Sequence, residues 1–314
     1  MKKISVVTPC FNEEANVEVL YGRVKAVFLK LGAYEYEHIF IDNASTDATQ
    51  AILRKLAAAD NNVKVIINTR NFGHIRSPYY ALTRCAEGDA VVHLLADLQD
   101  PPELIIDFVR KWEAGYKVVL GIKTNSGESA LMFAIRKLYY DIVDNLADVR
   151  INKNNNGFGL YDKEVIVQLS RLDEPYPFFR GLVSELGYEA AKVEYLQQAR
   201  LRGITKNNFY TLYDIGMLGI INHSKVPLRL AIFAGAILAG INLAVAFGYL
   251  VYKLIYWGSF SVGIAPAVIG LFFFASVQLI FLGVIGEYIG AIYTQMLKRP
   301  LVIEKERINF QDDL

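Results

Sequence analysis

From Leu230 to Tyr252 the chain carries no charged side chain, a run of about 23 residues. At ~1.5 Å per residue, a helix of that length reaches across a ~30 Å hydrocarbon core. After Lys253 the next charge is Glu287. Pro266 and the Gly/Ser-rich segment Trp257–Gly263 divide that stretch, which places a second apolar helix over about Pro266–Gly286. Two adjacent runs of this kind are expected to form a transmembrane hairpin. A helical hairpin buried in a soluble core has the same pattern. Lys225 and Arg229 precede the first run; Lys298, Arg299, Lys305 and Arg307 follow the second; the connection holds Lys253 alone. The positive-inside rule then puts both flanks in the cytoplasm, with two spans through the plasma (inner) membrane.

Ahead of the hairpin the pattern changes. In residues 1 to about 125, short apolar runs ("ISVVT", "YEHIFID", "VKVIINT", "AVVHLL", "YKVVLGI") alternate with stretches of helical period, such as Val17, Leu20, Val24, Val27, Phe28 and Leu31. Alternating β and α units predict an α/β domain with a mostly parallel sheet covered on both faces. Such sheets bind ligands beyond the carboxyl ends of their strands. Every polar cluster of this half falls at such an end: Thr8–Glu14, Asp42–Asp47, Asn71–His74 and Asp97–Asp100. Further on, "ESALMFAIRKLYYDIVDNLADV" and "FFRGLVSELG" read as helices, "NKNNNGFGLYD" as a polar loop entering a short strand, and "YEAAKVEYL" as a strand. Phe209, Leu212, Tyr213, Met217, Ile220 and Ile221 recur at helical spacing, as in a helix lying in the membrane interface or an ordinary core helix. These patterns divide the chain into a domain over 1–206, an interfacial region over 207–227, the hairpin over 228–290 and a cytoplasmic tail over 291–314.

Composition narrows the function. A formal net charge of +1 argues against a nucleic-acid binder driven by bulk charge. Cys10 and Cys85 belong to no CxxC or Cys/His cluster, which argues against a disulfide scaffold or zinc site. The N-terminal apolar run is short and meets Asn12, Glu13 and Glu14, so it reads as a first strand rather than a signal peptide. In "HLLADLQDPPELI", Asp100 as N-cap, Pro101 at the first helical position and Glu103 in the first turn describe a helix start. Asp97 and Gln99 have no part in that. A carboxylate with a neighbouring amide at a strand end suits a hard cation that also meets substrate phosphates. Arg200, Arg202 and Lys206, just before the interfacial stretch, suit a phosphate at the membrane surface.

"ISVVTPCFNEEANV", "IDNASTDAT", "RNFGH" and "ADLQDPPE", followed by two apolar runs ending "GVIGEYIGAIY…KRP", resemble the polyprenyl-phosphate glycosyltransferases. These are the dolichol-phosphate-mannose synthase-like enzymes, and the chain especially resembles their bacterial bactoprenol glucosyltransferase branch. The resemblance runs over nearly the whole chain. It implies a GT-A-type nucleotide-sugar domain, a Mg2+ or Mn2+ ion, a nucleotide sugar as donor, polyprenyl phosphate as acceptor, and a homo-oligomer, a tetramer in the family. By position, Pro9, Phe11, Asn12, Glu13 and Glu14 would line the nucleotide pocket with Asn71 and Lys123. Asp42 would hold the base or ribose, and Ser45 and Asp47 would shape that loop. Thr46 is expected mainly to cap the following helix. Asp97 and Gln99 would serve metal and diphosphate, and Arg180, Arg200, Arg202 and Lys206 the lipid phosphate, with Arg200 and Lys206 acting in catalysis. Asn152 and Asn154–Asn156 are either neutral contacts to sugar hydroxyls or part of a polar loop. Gly286 and Gly290, with Gly283 a turn earlier, suit a helix-packing face.

The chain departs from the family pattern at three places. Leu95 stands where relatives have a second Asp, Lys123 where they have Arg, and Gly157–Gly159 where they have an acidic-Phe-Arg triplet. Loss of a ligand is expected to weaken cation binding, and Lys123 keeps charge without the bidentate fork. These departures motivate an alternative, a non-catalytic membrane scaffold or lipid-sugar binding partner. A processive polysaccharide synthase is disfavoured: its Gln-x-x-Arg-Trp motif is missing, since Lys111 precedes Trp112 and Tyr256 precedes Trp257.

Overall fold

The computed structural model describes residues 1–124, 155–172, 174–197, 226–256 and 264–310. The first five apolar runs are strands: β1 (Lys2–Cys10), β2 (Tyr34–Asp42), β3 (Val63–Asn68), β4 (Ala90–His93) and β5 (Val118–Lys123). Helices α1 (Val17–Lys30), α2 (Thr49–Ala59), α3 (Gly73–Tyr80) and α4 (Ile105–Glu113) connect them. Beyond the undescribed residues come β6 (Gly159–Asp162), α5 (Lys163–Arg171), α6 (Phe179–Glu185) and β7 (Ala190–Tyr195). The strands form one sheet of order β7-β5-β6-β4-β1-β2-β3, extended at the β3 edge by β8 (Glu304–Ile308).

Pairings β1–β2, β1–β4, β2–β3 and β5–β7 are parallel, whereas β6 lies antiparallel between β4 and β5. The core explains why the apolar runs are continuous rather than alternating. Ile4, Val6, Phe40, Val65 and Ile67 pack on one face with α1, α2 and α4, through Leu20, Leu53 and Phe108. Val7, Ile39, Ile41 and Ile66 pack on the other, with Tyr79, Leu82 and Leu169. A strand buried on both faces needs apolar residues at successive positions.

From the central β1 the chain runs outward to β2 and β3, then returns across to β4. The crevice at that reversal, beyond the carboxyl ends of β1 and β4, is where an open α/β sheet holds its ligand.

The apolar runs are helical: α7 spans Val226–Ile255 and α8 spans Ile264–Met296. Among the described residues, one stretch, Phe273–Met296, is long and apolar enough to cross a membrane, and α7 holds a shorter one, Ala231–Ile241. Phe273, Leu279, Ile285 and Ile292 of α8 are exposed. Helix α8 continues past Glu287 because nothing breaks it there. It ends where Lys298 adopts a left-handed backbone (φ 43°) and Pro300 follows. A Cβ on Gly283, Gly286 or Gly290 would meet nothing within 4 Å. Within the expected tail over 291–314, α8 continues to Met296 and Glu304–Ile308 form β8, antiparallel to β3. The helix expected over Glu128–Val149 and residues 207–225 of the interfacial region expected over 207–227 lie outside the described residues; residues 226–227 open α7.

Candidate active site

The loops after β1 and β2 are stitched together by their own polar side chains. Asn12 adopts a left-handed backbone (φ 57°), and its N–H donates to Ser45 Oγ (2.8 Å). Its Oδ1 accepts from the Thr46 N–H (2.8 Å). The Glu13 N–H donates to Thr49 Oγ1 (2.9 Å), and Glu14 Oε2 accepts from the Ala48 N–H (2.8 Å). Asp47 Oδ1 accepts from the Thr49 N–H (3.0 Å). Glu14 and Asp47 therefore satisfy the first turn of α2, and Thr46, expected to cap it, is turned to Asn12 instead. Asp42 is fully buried and accepts from the Ser45 N–H (3.0 Å), from Gln50 Nε2 (2.9 Å) and from the Ser45 hydroxyl. Pro9 and Phe11 are half-buried at the same rim.

The third loop joins through Asn43, whose Oδ1 accepts from Asn68 Nδ2 (3.0 Å) and the Phe72 N–H (3.1 Å). Asn71 is exposed, and its Oδ1 accepts from the Gly73 N–H (2.8 Å). It belongs to this β3 loop rather than to the group around Asp97.

After β4 the chain makes a tight bend. Leu98 has φ 58°, a conformation costing a branched side chain about 1–3 kcal/mol, and it is held there by burial in the core. With Leu98 turned inward, Asp97 and Gln99 stand half-buried on the other side, the Gln99 N–H donating to Asp97 Oδ1 (3.3 Å). Asp100 is fully buried and caps nothing. Its Oδ1 accepts from the Tyr195 hydroxyl (2.5 Å) and its Oδ2 from Asn156 Nδ2 (2.7 Å). The short helical turn that follows has Pro101 at its cap position, without a side-chain bond. Burial raises the Asp100 pKa, opposed by Tyr195 and by the charge of Lys123, the last residue of β5. Asn156, read from the sequence as a sugar contact or part of a polar loop, holds Asp100 instead, and Tyr195, the last residue of β7, carries no sequence signal for this role.

The glycines of "GFG" are required by this backbone. Gly157 has φ 96°, and a Cβ there would lie 3.1 Å from His93 Nδ1. A Cβ on Gly159 would stand 2.4 Å from the Val119 carbonyl oxygen. An arginine, which the family pattern has in place of Gly159, would have no room beside β5. His93 is buried, its Nδ1 3.1 Å from the Gly157 carbonyl, and burial lowers its pKa to about 4. Asn155 is buried, and its Nδ2 donates to the Gly121 carbonyl (3.1 Å), so it serves the loop rather than a sugar. Arg180, on α6, donates to the Asn155 carbonyl (2.8 Å) and lies near His74. Arg200, Arg202 and Lys206 lie outside the described residues, as do Asn152 and Asn154.

Among the described residues no group of three His, Cys, Asp or Glu side chains converges. Asp97 with Gln99 is a partial donor set. It fits a hard cation that takes one or two carboxylates and completes its shell with substrate oxygens.

Residues 5–166 match the family model described as "Glycosyl transferase family 2". The chain is 36% identical to an uncharacterized glycosyltransferase of Bacillus subtilis, over 98% of this chain and 95% of the relative. It is 35% identical to the bactoprenol glucosyl transferase of Shigella phage SfII, over 97% and 98% respectively. A solved mannosyltransferase from Pyrobaculum calidifontis, in complex with GDP-Man and Mn2+, is 17% identical over 95% of this chain and 86% of that one. Its TM-score of 0.45 is too distant to inform the site. The family resemblance read from the motifs therefore stands, and the chain is a glycosyltransferase of family 2.

Proposed function

We propose that the protein is an inverting membrane enzyme that moves a hexose, glucose from UDP-glucose, onto polyprenyl (undecaprenyl) phosphate. The product serves modification of cell-envelope glycans. The observation that carries this reading is the similarity, over nearly the full length of both chains, to a bactoprenol glucosyl transferase. The position of the acidic clusters supports it, since Asp42, Asp97 and Asp100 gather at one rim of the sheet.

The nucleophile is an oxygen of the lipid phosphate monoester, whose second pKa is ~6, so it is largely ionised at neutral pH. It attacks the anomeric carbon as the bond from that carbon to the diphosphate oxygen breaks. The nucleoside diphosphate leaves with the electron pair, and the configuration inverts. No strong general base is needed. The protein's task is to hold two anions together and to stabilise the departing diphosphate. Asp97 and Gln99 hold Mg2+ or Mn2+, which supplies positive charge to the diphosphate oxygens when bound. Pro9, Phe11, Asn12, Glu13, Glu14, Asp42, Ser45 and Asn71 shape the nucleotide pocket. Lys123 adds charge near Asp100. Arg180, Arg200, Arg202 and Lys206 receive the lipid phosphate.

Helices α7 and α8 form the two spans, with the catalytic domain and both flanks in the cytoplasm, and the assembly is a homotetramer. The test is incubation of membranes holding the protein with radiolabelled UDP-glucose and undecaprenyl phosphate. Metal-dependent, lipid-soluble label is expected. Its absence across a panel of nucleotide sugars would overturn the reading.

A further inference from the structure

A separate group of charges lies where the sheet meets the foot of α8. Arg70 and Arg76 bracket Phe72, their guanidinium carbons 4.1 and 5.6 Å from the ring centroid. The Arg76 guanidinium donates to the Pro300 carbonyl, which brings in Arg299 beside it. Arg70 donates to the neighbouring Asn71 carbonyl (3.2 Å). Among the described residues, none of the three pairs with a carboxylate. Glu174 accepts from Gln295 Nε2 in the last turn of α8 (3.1 Å). Arg76 is partly buried with its Nε turned inward and unpartnered. Burial, then the charges of Arg70 and Arg299, lower its pKa. Three guanidiniums so placed repel one another, and a desolvated cation is costly until an anion meets it.

Two features of place identify the anion. Arg299 closely follows Met296, the end of the apolar stretch Phe273–Met296, which puts the cluster at the level of lipid head groups. The acceptor phosphate, by contrast, must reach Asp97 beyond β4. The order β4-β1-β2-β3 puts three strand spacings, roughly 14 Å, between the β3 loop and that point. We propose that Arg70, Arg76 and Arg299 clamp the phosphates of anionic bilayer lipids and so seat the catalytic domain on the membrane surface. This rests on the reading of α8 as a membrane span. Guanidinium forks match phosphate oxygens, and each basic group near an anionic surface strengthens attraction about fivefold.

The test uses the full chain in detergent micelles, with phosphatidylglycerol and phosphatidylcholine as probes and retained lipid counted by native mass spectrometry. Preference for phosphatidylglycerol is expected, falling by roughly 25-fold in R70Q/R299Q. Neither side chain makes a hydrogen bond across the fold, so that double variant keeps its structure. Adding R76Q should bring the two lipids to parity. Turnover at saturating undecaprenyl phosphate in phosphatidylcholine micelles should not change. Absence of preference in the wild type, or an unchanged preference in R70Q/R299Q, would overturn the clamp. So would a raised KM for undecaprenyl phosphate in that variant, which would give the cluster to the acceptor. Alkaline carbonate separates the two readings. Release of the chain from membranes overturns the span and the clamp together; a chain that stays integral but lacks lipid preference overturns the clamp alone.

Discussion

The two ends of the sheet bury carboxylates in opposite ways. At the amino end, Glu37 meets Lys3 (2.7 Å) and Lys64 (2.8 Å), and Ser5 donates to it (2.5 Å). Each charge there is answered by another charge of the same protein. At the carboxyl end, Asp42 and Asp100 are equally buried, yet their hydrogen bonds come from neutral groups: Ser45, Gln50, Tyr195 and Asn156. Neutral donors orient a carboxylate without cancelling its charge, so the rim stays negative. The amino end is thus an internally closed ion cluster, and the carboxyl end holds its buried carboxylates by neutral hydrogen-bond donors, with the Lys123 charge near Asp100.

Glu37→Gln should have the largest effect on folding. It leaves Lys64, 9% exposed, with Glu87 (3.1 Å) as its remaining carboxylate, and up to about 3 kcal/mol of stability should be lost with kcat retained. A loss of activity without loss of stability would show that the amino end is not merely structural. Asp97→Asn should do the reverse, lowering metal-dependent turnover about 100-fold with an unchanged unfolding midpoint. Tyr195→Phe removes one donor from Asp100 and should cost about 1–3 kcal/mol in stability while lowering kcat, measured by denaturant titration and initial rates.

Acid should strain both ends. His38 and His93 are buried and neutral, with pKa values lowered by burial to about 3 and about 4. The unfolded chain binds protons at these residues below its ordinary value of about 6.5, so stability falls as pH drops from there toward 4. The slope should approach roughly 1.4 kcal/mol per pH unit for each histidine. Glu37 adds to this lower down. Burial would raise its pKa, but Lys3, Lys64 and Ser5 outweigh burial and hold it below the usual value. Its contribution is present above about pH 4.5 and is lost on further acidification. A flat stability profile between pH 7 and 5 would contradict the burial of both histidines. Smallest of all, Arg54→Gln should change stability by less than about 1 kcal/mol, since the Arg54–Glu306 pair (2.6 Å) is well exposed.

The parallel sheet was legible because burial on both faces writes itself as uninterrupted apolar runs, as in "YEHIFID" and "VKVIINT". The candidate site was marked for the same reason, since polar residues that end such runs stand out. Local partners were not. Asp100 and Thr46 fit the rules for helix starts, yet tertiary donors claimed Asp100 and Asn12 claimed Thr46. The left-handed Leu98 carries no sequence signal, because only its burial sustains it. Nor does β8 look like a strand. "EKERI" is charged, and on an edge strand the β-sheet pattern survives only as alternating exposure.

That last strand has a mechanical consequence. Arg54 grips Glu306, and Asn309 Nδ2 reaches the Ala57 and Val63 carbonyls (2.7 and 2.9 Å), so the chain after α8 is fastened to the domain. Only about seven residues, Leu297–Ile303, bridge helix and strand, a leash of at most ~25 Å. Whatever holds α8 therefore also holds the carboxyl-end rim of the sheet, within the reach of that leash.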